Sequence, residues 1–372
     1  MTKILLMYIT DVSGHRSAAL AIEKGLKELS PDVQIMSINA FKYTNPISER
    51  IVNRIYTAVI KKTPKLWDYM YDNPRVKRSL EKLKEFVHRN NSPKLQRLFD
   101  KFQPDLVVCT QAFPCGMVAD FKKWSGSKLP LVGVLTDFVP HAYWIYDTVN
   151  YYFTPADLVS KRLMERGVPA KKINAFGIPF DPAFNHPVYV NTVKEKLHLD
   201  PHMKTILIMG GGQGLGPIKT IVKSLEKVRQ PLQEIIVCGT NKRLYRQLKR
   251  KTRRSRHRIS LWGYVNNINE LMAVSDLIVT KPGGITTAEA LSKGLPMIII
   301  KPLPGQEMSN TQFLINEHAA IKLDRATDIH RTIEDLLANP EKLAALTKAA
   351  TTIGKPDAAL DIARFILAQT AR

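Results

Sequence analysis

The sequence predicts an α/β protein built from two doubly wound halves, and three observations carry that prediction. Short, continuously apolar runs alternate with amphipathic stretches along almost the whole chain. Unbroken apolar runs, rather than every-other-residue patterns, suit parallel strands buried on both faces. A proline-rich segment, GIPFDPAFNHP (177–187), divides the alternation in two. Glycine-rich loops directly follow strand candidates, which is where α/β sheets bind ligands.

In the first half, KILLMYIT (3–10) is the opening strand, DVSGHRS (11–17) its loop, and AALAIEKGLKEL the first helix. VQIMSIN (33–39) is the second strand candidate. Residues 42–101 read as mostly helical, broken at Pro64, Pro74 and Pro93. Strands resume at DLVVCT (105–110), LVGVLT (131–136), YYFTP (151–155) and INAFGIP (173–179). The second half restarts with TILIMG (205–210), EIIVCG (234–239), ISLWGY (259–264), DLIVTK (276–281), MIIIKP (297–302) and AAIKL (319–323). A helical tail covers about 330–371. The expected division is 1–182, 183–355, and a terminal helix at 356–372 that packs back on the first domain.

Composition narrows the class. The chain has 372 residues, 44% hydrophobic and 24% charged, which is a globular composition and long enough for two domains. Cys109, Cys115 and Cys238 lack metal-ligand spacing and cannot form a disulfide framework, so they read as buried thiols. No segment has the roughly 18 apolar residues of a membrane span. The formal net charge is +22, which requires an acidic partner such as nucleic acid, an anionic membrane surface or nucleotide phosphate.

Several segments carry candidate chemistry. GGGQGLG (210–216) follows a strand and precedes Pro217, where a helix would start. Its backbone N–H groups and the helix dipole suit a phosphate, although a tight structural turn uses the same residues. It lacks GK[ST], and no acid ends the next strand, which argues against a Walker loop and against NAD. In TKPGGITTAEAL (280–291), Thr286 or Thr287 can cap a helix, with Glu289 in its first turn as either a dipole partner or a ribose ligand. In PLPGQEMSN (302–310), Gln306, Glu307 and Asn310 cluster at a strand end and suit a sugar's hydroxyls, or form a solvated loop. His15, in the loop after the first strand, has the residue type of a general base. TDFVPHAYW (136–144) adds Asp137, His141 and Trp144 at another strand end.

Taken in order, SGHRSAA, TDFVPHAYW, FGIP, MGGGQGLG, VCGTN, LWGYV, TKPGGITTAEAL and PLPGQEMSN resemble the monogalactosyldiacylglycerol synthase and processive diacylglycerol glucosyltransferase family, within glycosyltransferase family 28. The resemblance implies a GT-B fold, two Rossmann-like domains facing across a cleft. It implies inverting transfer of glucose or galactose from UDP-glucose or UDP-galactose to the hydroxyl of diacylglycerol, with no metal and no cofactor beyond that co-substrate. By the same resemblance, His15 is the general base and Asp137 its partner or alternative. Gly14 and the loop holding Gly211, Gly212 and Gln213 face the diphosphate, with Gly284 and Thr287 at the second helix end. Glu289 holds the ribose, Gln306, Glu307 and Asn310 hold the sugar, and Tyr264 and Val265 read uracil. The first loop departs from the glycine-rich form of many members.

A lipid acceptor accounts for the charge. Residues 42–101 carry an excess of nine positive charges with Trp67 and tyrosines interleaved, and KRLYRQLKRKTRRSRHR (242–258) carries ten with no acid. Both suit docking on an anionic membrane, on its cytoplasmic side, with Trp67, His141 and Trp144 toward the acceptor. Nucleic acid is disfavoured because no recognition module accompanies the run. Alternatives are transfer of N-acetylglucosamine to a polyprenyl lipid intermediate and a UDP-sugar 2-epimerase.

Overall fold

The computed structural model describes residues 1–11, 13–44, 74–140 and 142–371. The chain divides into two compact units. One comprises Met1–Pro182, Pro304–Gln306 and Asp357–Arg372; the other comprises Ala183–Leu303 and Glu307–Pro356.

The first unit runs β1 (Lys3–Tyr8), α1 (Gly14–Leu29), β2 (Gln34–Asn39), α2 (Ala40–Thr44), α3 (Pro74–Phe102), β3 (Leu106–Cys109), α4 (Ala112–Ser125), β4 (Leu131–Val134), β5 (Tyr151–Phe153), α5 (Asp157–Glu165) and β6 (Ile173–Asn174). Its sheet has the order β2-β1-β3-β4-β5-β6 and is parallel throughout. Successive β1 residues feed opposite cores, as a two-residue period requires. Leu5 and Met7 join the cluster that includes Leu95, Val118 and Trp144, whereas Ile4, Leu6 and Tyr8 join the one that includes Ile22 and Leu26. Both faces are therefore covered, which explains the unbroken apolar runs. The strand order reverses between β1 and β3, and this is the unit's topological switch point.

Two expectations are corrected here. Pro93 lies inside α3 without ending it, because Leu95, Leu98, Phe99 and Phe102 are all buried and hold the helix past the missing N–H. The run 173–179 forms a strand only at Ile173–Asn174, since Gly177 sits at φ 102 and turns the chain away. Of the stretch 42–101, residues 45–73 lie outside the described residues.

The second unit runs α6 (Val190–Lys196), β7 (Lys204–Met209), α7 (Ile218–Leu225), β8 (Leu232–Val237), α8 (Lys242–Thr252), β9 (Arg258–Trp262), α9 (Ile268–Ala273), β10 (Leu277–Thr280), α10 (Gly284–Ser292), β11 (Met297–Ile300), α11 (Gln306–Asn316), β12 (Ala320–Leu323), α12 (Ile329–Ala338) and α13 (Pro340–Ile353). Its parallel sheet has the order β12-β11-β10-β7-β8-β9. Counted within the unit this is the Rossmann order, with the switch point between β7 and β10. The loops leaving those two strands are GGGQGLG and KPGG.

The last helix, α14 (Ala358–Thr370), belongs to the first unit and packs on α1. Gly25 permits the approach: a Cβ there would stand 2.9 Å from the carbonyl oxygen of Ala359. Ile362, Ala363 and Ile366 enter the same core as Ile22.

Candidate functional site

Each unit carries candidate residues at its own switch point. In the second unit, the loop after β7 closes through Leu215 N–H to Gly210 O at 3.0 Å and Gly214 N–H to Gly211 O at 2.9 Å. Gly214 is required for backbone reasons, since φ is 57 and a Cβ would lie 2.0 Å from Cys238 O. Gly212 differs: nothing lies within 4 Å of where its Cβ would be. Its missing side chain leaves open space beside a turn of backbone donors, which suits a close-approaching phosphate. Gln213 is exposed beside it. Asn241, the end of the VCGTN motif and given no role from sequence, holds this loop in place. Its Nδ2 donates to Gly214 O at 3.2 Å while its Oδ1 caps α8 by accepting from Leu244 N–H at 2.9 Å.

The second loop is tied to the third by side chains read from sequence as sugar ligands. Glu307 Oε1 pairs with Lys281 Nζ at 2.6 Å, and its Oε2 accepts from Leu303 N–H at 2.7 Å. Asn310 is fully buried and donates to Pro282 O at 3.0 Å. Asn310 is therefore a buried anchor of the KPGG loop rather than a surface contact. Gln306 opens α11 and is half-buried. Lys281 was overlooked because a lysine ending a strand looks like an ordinary solvated terminus.

Helix α10 starts earlier than expected. Gly283 is its N-cap and Gly284 its first residue, so neither Thr286 nor Thr287 caps it. Thr287 is buried, its N–H bonded to Gly283 O at 2.9 Å, and its hydroxyl has no hydrogen-bond partner among the described residues. Glu289 is half-buried in the second turn, not the first. The reason is local: Gly283 adopts an extended conformation before Gly284 and supplies the cap without a side chain. Past the end of β9, Tyr264 is 65% exposed and Val265 half-buried.

In the first unit, His15 lies in the first turn of α1, not in the preceding loop. Ser13 caps the helix, accepting from Arg16 N–H at 3.2 Å and donating to Thr10 O at 2.9 Å. Thr10 has φ 64, an unusual value for a β-branched residue, and turns the chain off β1. Gly14 is exposed at the helix start. The His15 Nδ1 atom is 3.0 Å from Thr110 O and 3.0 Å from Thr136 Oγ1, while Thr110 Oγ1 donates to His15 O at 2.8 Å. These contacts tie the start of α1 to the loops after β3 and β4. Burial lowers the imidazole pKa to about 4, partly opposed by the Thr110 carbonyl. Asp137 follows Thr136 and is half-buried.

The proposed acceptor residues fare differently. Trp67 and His141 lie outside the described residues. Trp144 is only 4% exposed and belongs to the core around Cys115 and Tyr152. It supports the β4–β5 region from inside instead of presenting a membrane face. Helix α8 turns Leu244 and Leu248 inward and its cations outward. Arg243, Arg246, Arg250, Arg253 and Arg254 line a groove there with Lys219, and no acidic residue joins them. The three cysteines are free and buried.

Comparison with known proteins adds an independent observation. Residues 15–180 match the family model described as monogalactosyldiacylglycerol synthase, and residues 205–362 match the glycosyltransferase family 28 C-terminal domain. The processive diacylglycerol beta-glucosyltransferase of Bacillus subtilis (strain 168) is 30% identical over 350 residues, covering 93% of this chain and 90% of that one. The protein of the same name from Bacillus cereus (strain ATCC 10987 / NRS 248) is 31% identical over 380 residues, covering 99% and 94%. Among solved structures, Acinetobacter baumannii MurG aligns with a TM-score of 0.67 at 15% identity, covering 99% of this chain and all of that one. The UDP-GlcNAc 2-epimerase from Neisseria meningitidis, bound to UDP-GlcNAc, aligns with a TM-score of 0.63 at 15% identity over 99% and 100%. At such identities the structural likenesses show the GT-B fold alone.

Proposed function

The chain belongs to the monogalactosyldiacylglycerol synthase and processive diacylglycerol glucosyltransferase family of glycosyltransferase family 28, and from that premise we propose that it is an inverting hexosyltransferase. It moves glucose or galactose from a UDP-sugar to the free hydroxyl of 1,2-diacylglycerol and uses no further cofactor. The observation that carries this reading is the extent of the match. Both switch-point sites fall inside it, His15 in the first matched region and the glycine loop, Lys281 and Glu307 in the second.

The same reading assigns each step of the transfer to named residues. His15 Nε2 accepts the proton of the acceptor hydroxyl as its oxygen attacks the anomeric carbon. The bond from that carbon to the β-phosphate oxygen breaks, and UDP leaves with the electron pair. Backbone donors around Gly211 and Gly212 and the N-terminus of α10 at Gly284 stabilise the charge that develops on the leaving diphosphate. Tyr264 and Val265 receive the base, Glu289 the ribose, and Gln306 with Glu307 the sugar hydroxyls.

Association with the membrane is peripheral in this reading. No helix among the described residues is long and apolar enough to cross a bilayer, while the outward cations of α8 suit anionic headgroups on the cytoplasmic face. Purified protein incubated with diacylglycerol liposomes and either UDP-glucose or UDP-galactose should form a hexosyldiacylglycerol with one of them, identified by mass spectrometry. No glycolipid from either donor overturns the proposal.

A further inference from the structure

We propose that Lys281 is the fixed positive charge for the donor's diphosphate, held by Glu307 until the donor arrives. The inference rests on the UDP-sugar reading above and gives a chemical role to a residue that the mechanism leaves without one.

Three observations converge on this side chain. Lys281 directly follows β10, at the switch point of its sheet. Its ammonium is 2.6 Å from Glu307 Oε1, and both side chains are only 15% exposed. Its stem lies along the other phosphate-type loop, since a Cβ on Gly216 would be 3.9 Å from Lys281 Cγ. One lysine thus connects the loop after β7, the loop after β10 and the start of α11. It is also the sole cation within GGGQGLG (210–216) and KPGG (281–284).

Charge bookkeeping gives the pair a purpose. Two opposite charges taken most of the way out of water need each other, because an uncompensated partner would be costly. A diphosphate brings further negative charge to loops whose other donors are uncharged, the backbone N–H groups and the Gln213 side-chain amide. An ammonium has three N–H donors, of which Glu307 Oε1 occupies one. Lys281 can therefore turn toward the phosphate without leaving its site, and the Glu307 carboxylate is then freed to accept from sugar hydroxyls. Leu303 N–H, on the second carboxylate oxygen at 2.7 Å, keeps Glu307 in place during that exchange. The pair is neutral when empty, and donor binding splits it into one group for phosphate and one for sugar.

The two partners then have opposite effects on nucleotide binding, which a merely structural ion pair would not produce. Calorimetric titration of the full chain with UDP and with uridine tests this. Lys281→Met should weaken UDP by roughly 10-fold or more, as expected for loss of a charge-assisted hydrogen bond, while changing uridine less than about 2-fold. Lys281→Arg, which keeps the charge, should restore most of the UDP affinity. Glu307→Gln should bind UDP at least as tightly as the wild type while glycosyl transfer falls. Unchanged UDP affinity in Lys281→Met, equal losses for UDP and uridine, or weakened UDP binding in Glu307→Gln would each overturn the assignment. If the wild-type chain bound no UDP, the donor reading itself would fall.

Discussion

Nδ1 of His15 is 3.0 Å from the carbonyl oxygen of Thr110. A carbonyl oxygen only accepts, so Nδ1 carries the ring proton and Nε2 keeps its lone pair. Thr136 Oγ1, also 3.0 Å from Nδ1, can share that proton as a second acceptor. The two contacts fix both tautomer and ring orientation, as a base requires. His15→Ala should lower kcat about 100-fold or more, the usual scale for losing a general base. Thr136→Val should cost far less, because the Thr110 carbonyl remains. A His15→Ala enzyme with unaltered kcat removes the histidine from the mechanism.

The same burial sets the pH dependence. With its pKa lowered from 6.5 to about 4, His15 is neutral throughout the physiological range. Lowering means that the unfolded chain takes up the proton first, so the stability associated with neutral His15 is present above pH 6.5 and lost as pH falls through 4. The acid limb of kcat/KM should therefore lie well below 6.5, and its position should be measured at constant ionic strength. An inflection at 6.5 would show a solvated imidazole instead.

Sequence and structure part company more at side chains than at elements. Every strand candidate became a strand at least in part, and in the central strands burial on both faces writes itself as a continuous apolar run. The glycine loops were legible too, since Gly214 combines φ 57 with a carbonyl oxygen 2.0 Å from where a Cβ would stand, and only glycine fits both. Glu307 and Asn310 were legible as a cluster but not in their roles. Their partners, Lys281 and Pro282 O, lie more than twenty residues away, and strand order alone brings them close. Thr287 and Glu289 were misplaced within α10 because a glycine cap leaves no polar residue to read. Trp144 looked interfacial among aromatics and charges, whereas packing against β4 and β5 puts it in the core.

Membrane docking can be tested at the C-terminal end of α8 without touching either switch point. Arg250, Arg253 and Arg254 are exposed, line the basic groove and hold no proposed substrate contact. Each basic residue near an anionic surface adds about 1 kcal/mol of attraction, so replacing all three by Gln should reduce binding roughly 100-fold. Cosedimentation with vesicles rich in phosphatidylglycerol measures this. Binding to purely zwitterionic vesicles should change little, and UDP affinity should not change. Equal binding of the variant and the wild type to anionic vesicles would exclude α8 as the docking face.

Glu234 offers a stability test remote from the chemistry. It sits in the middle of β8, fully buried between Ile206 and Ile259 of the flanking strands, and neither carboxylate oxygen has a partner among the described residues. Burial, reinforced by nearby Glu226, raises its pKa from 4.5 to about 8. The folded protein thus keeps a proton that the unfolded chain has already released between those values. Stability must fall as pH rises across that window, by up to about 1.4 kcal/mol per pH unit from this group alone. Glu234→Gln keeps the shape and abolishes the titration. Urea unfolding at pH 5 and pH 8 should show the variant gaining on the wild type as pH increases. A constant difference between the two proteins would mean that Glu234 ionises in the folded state, and that water or a counter-charge reaches the centre of the sheet.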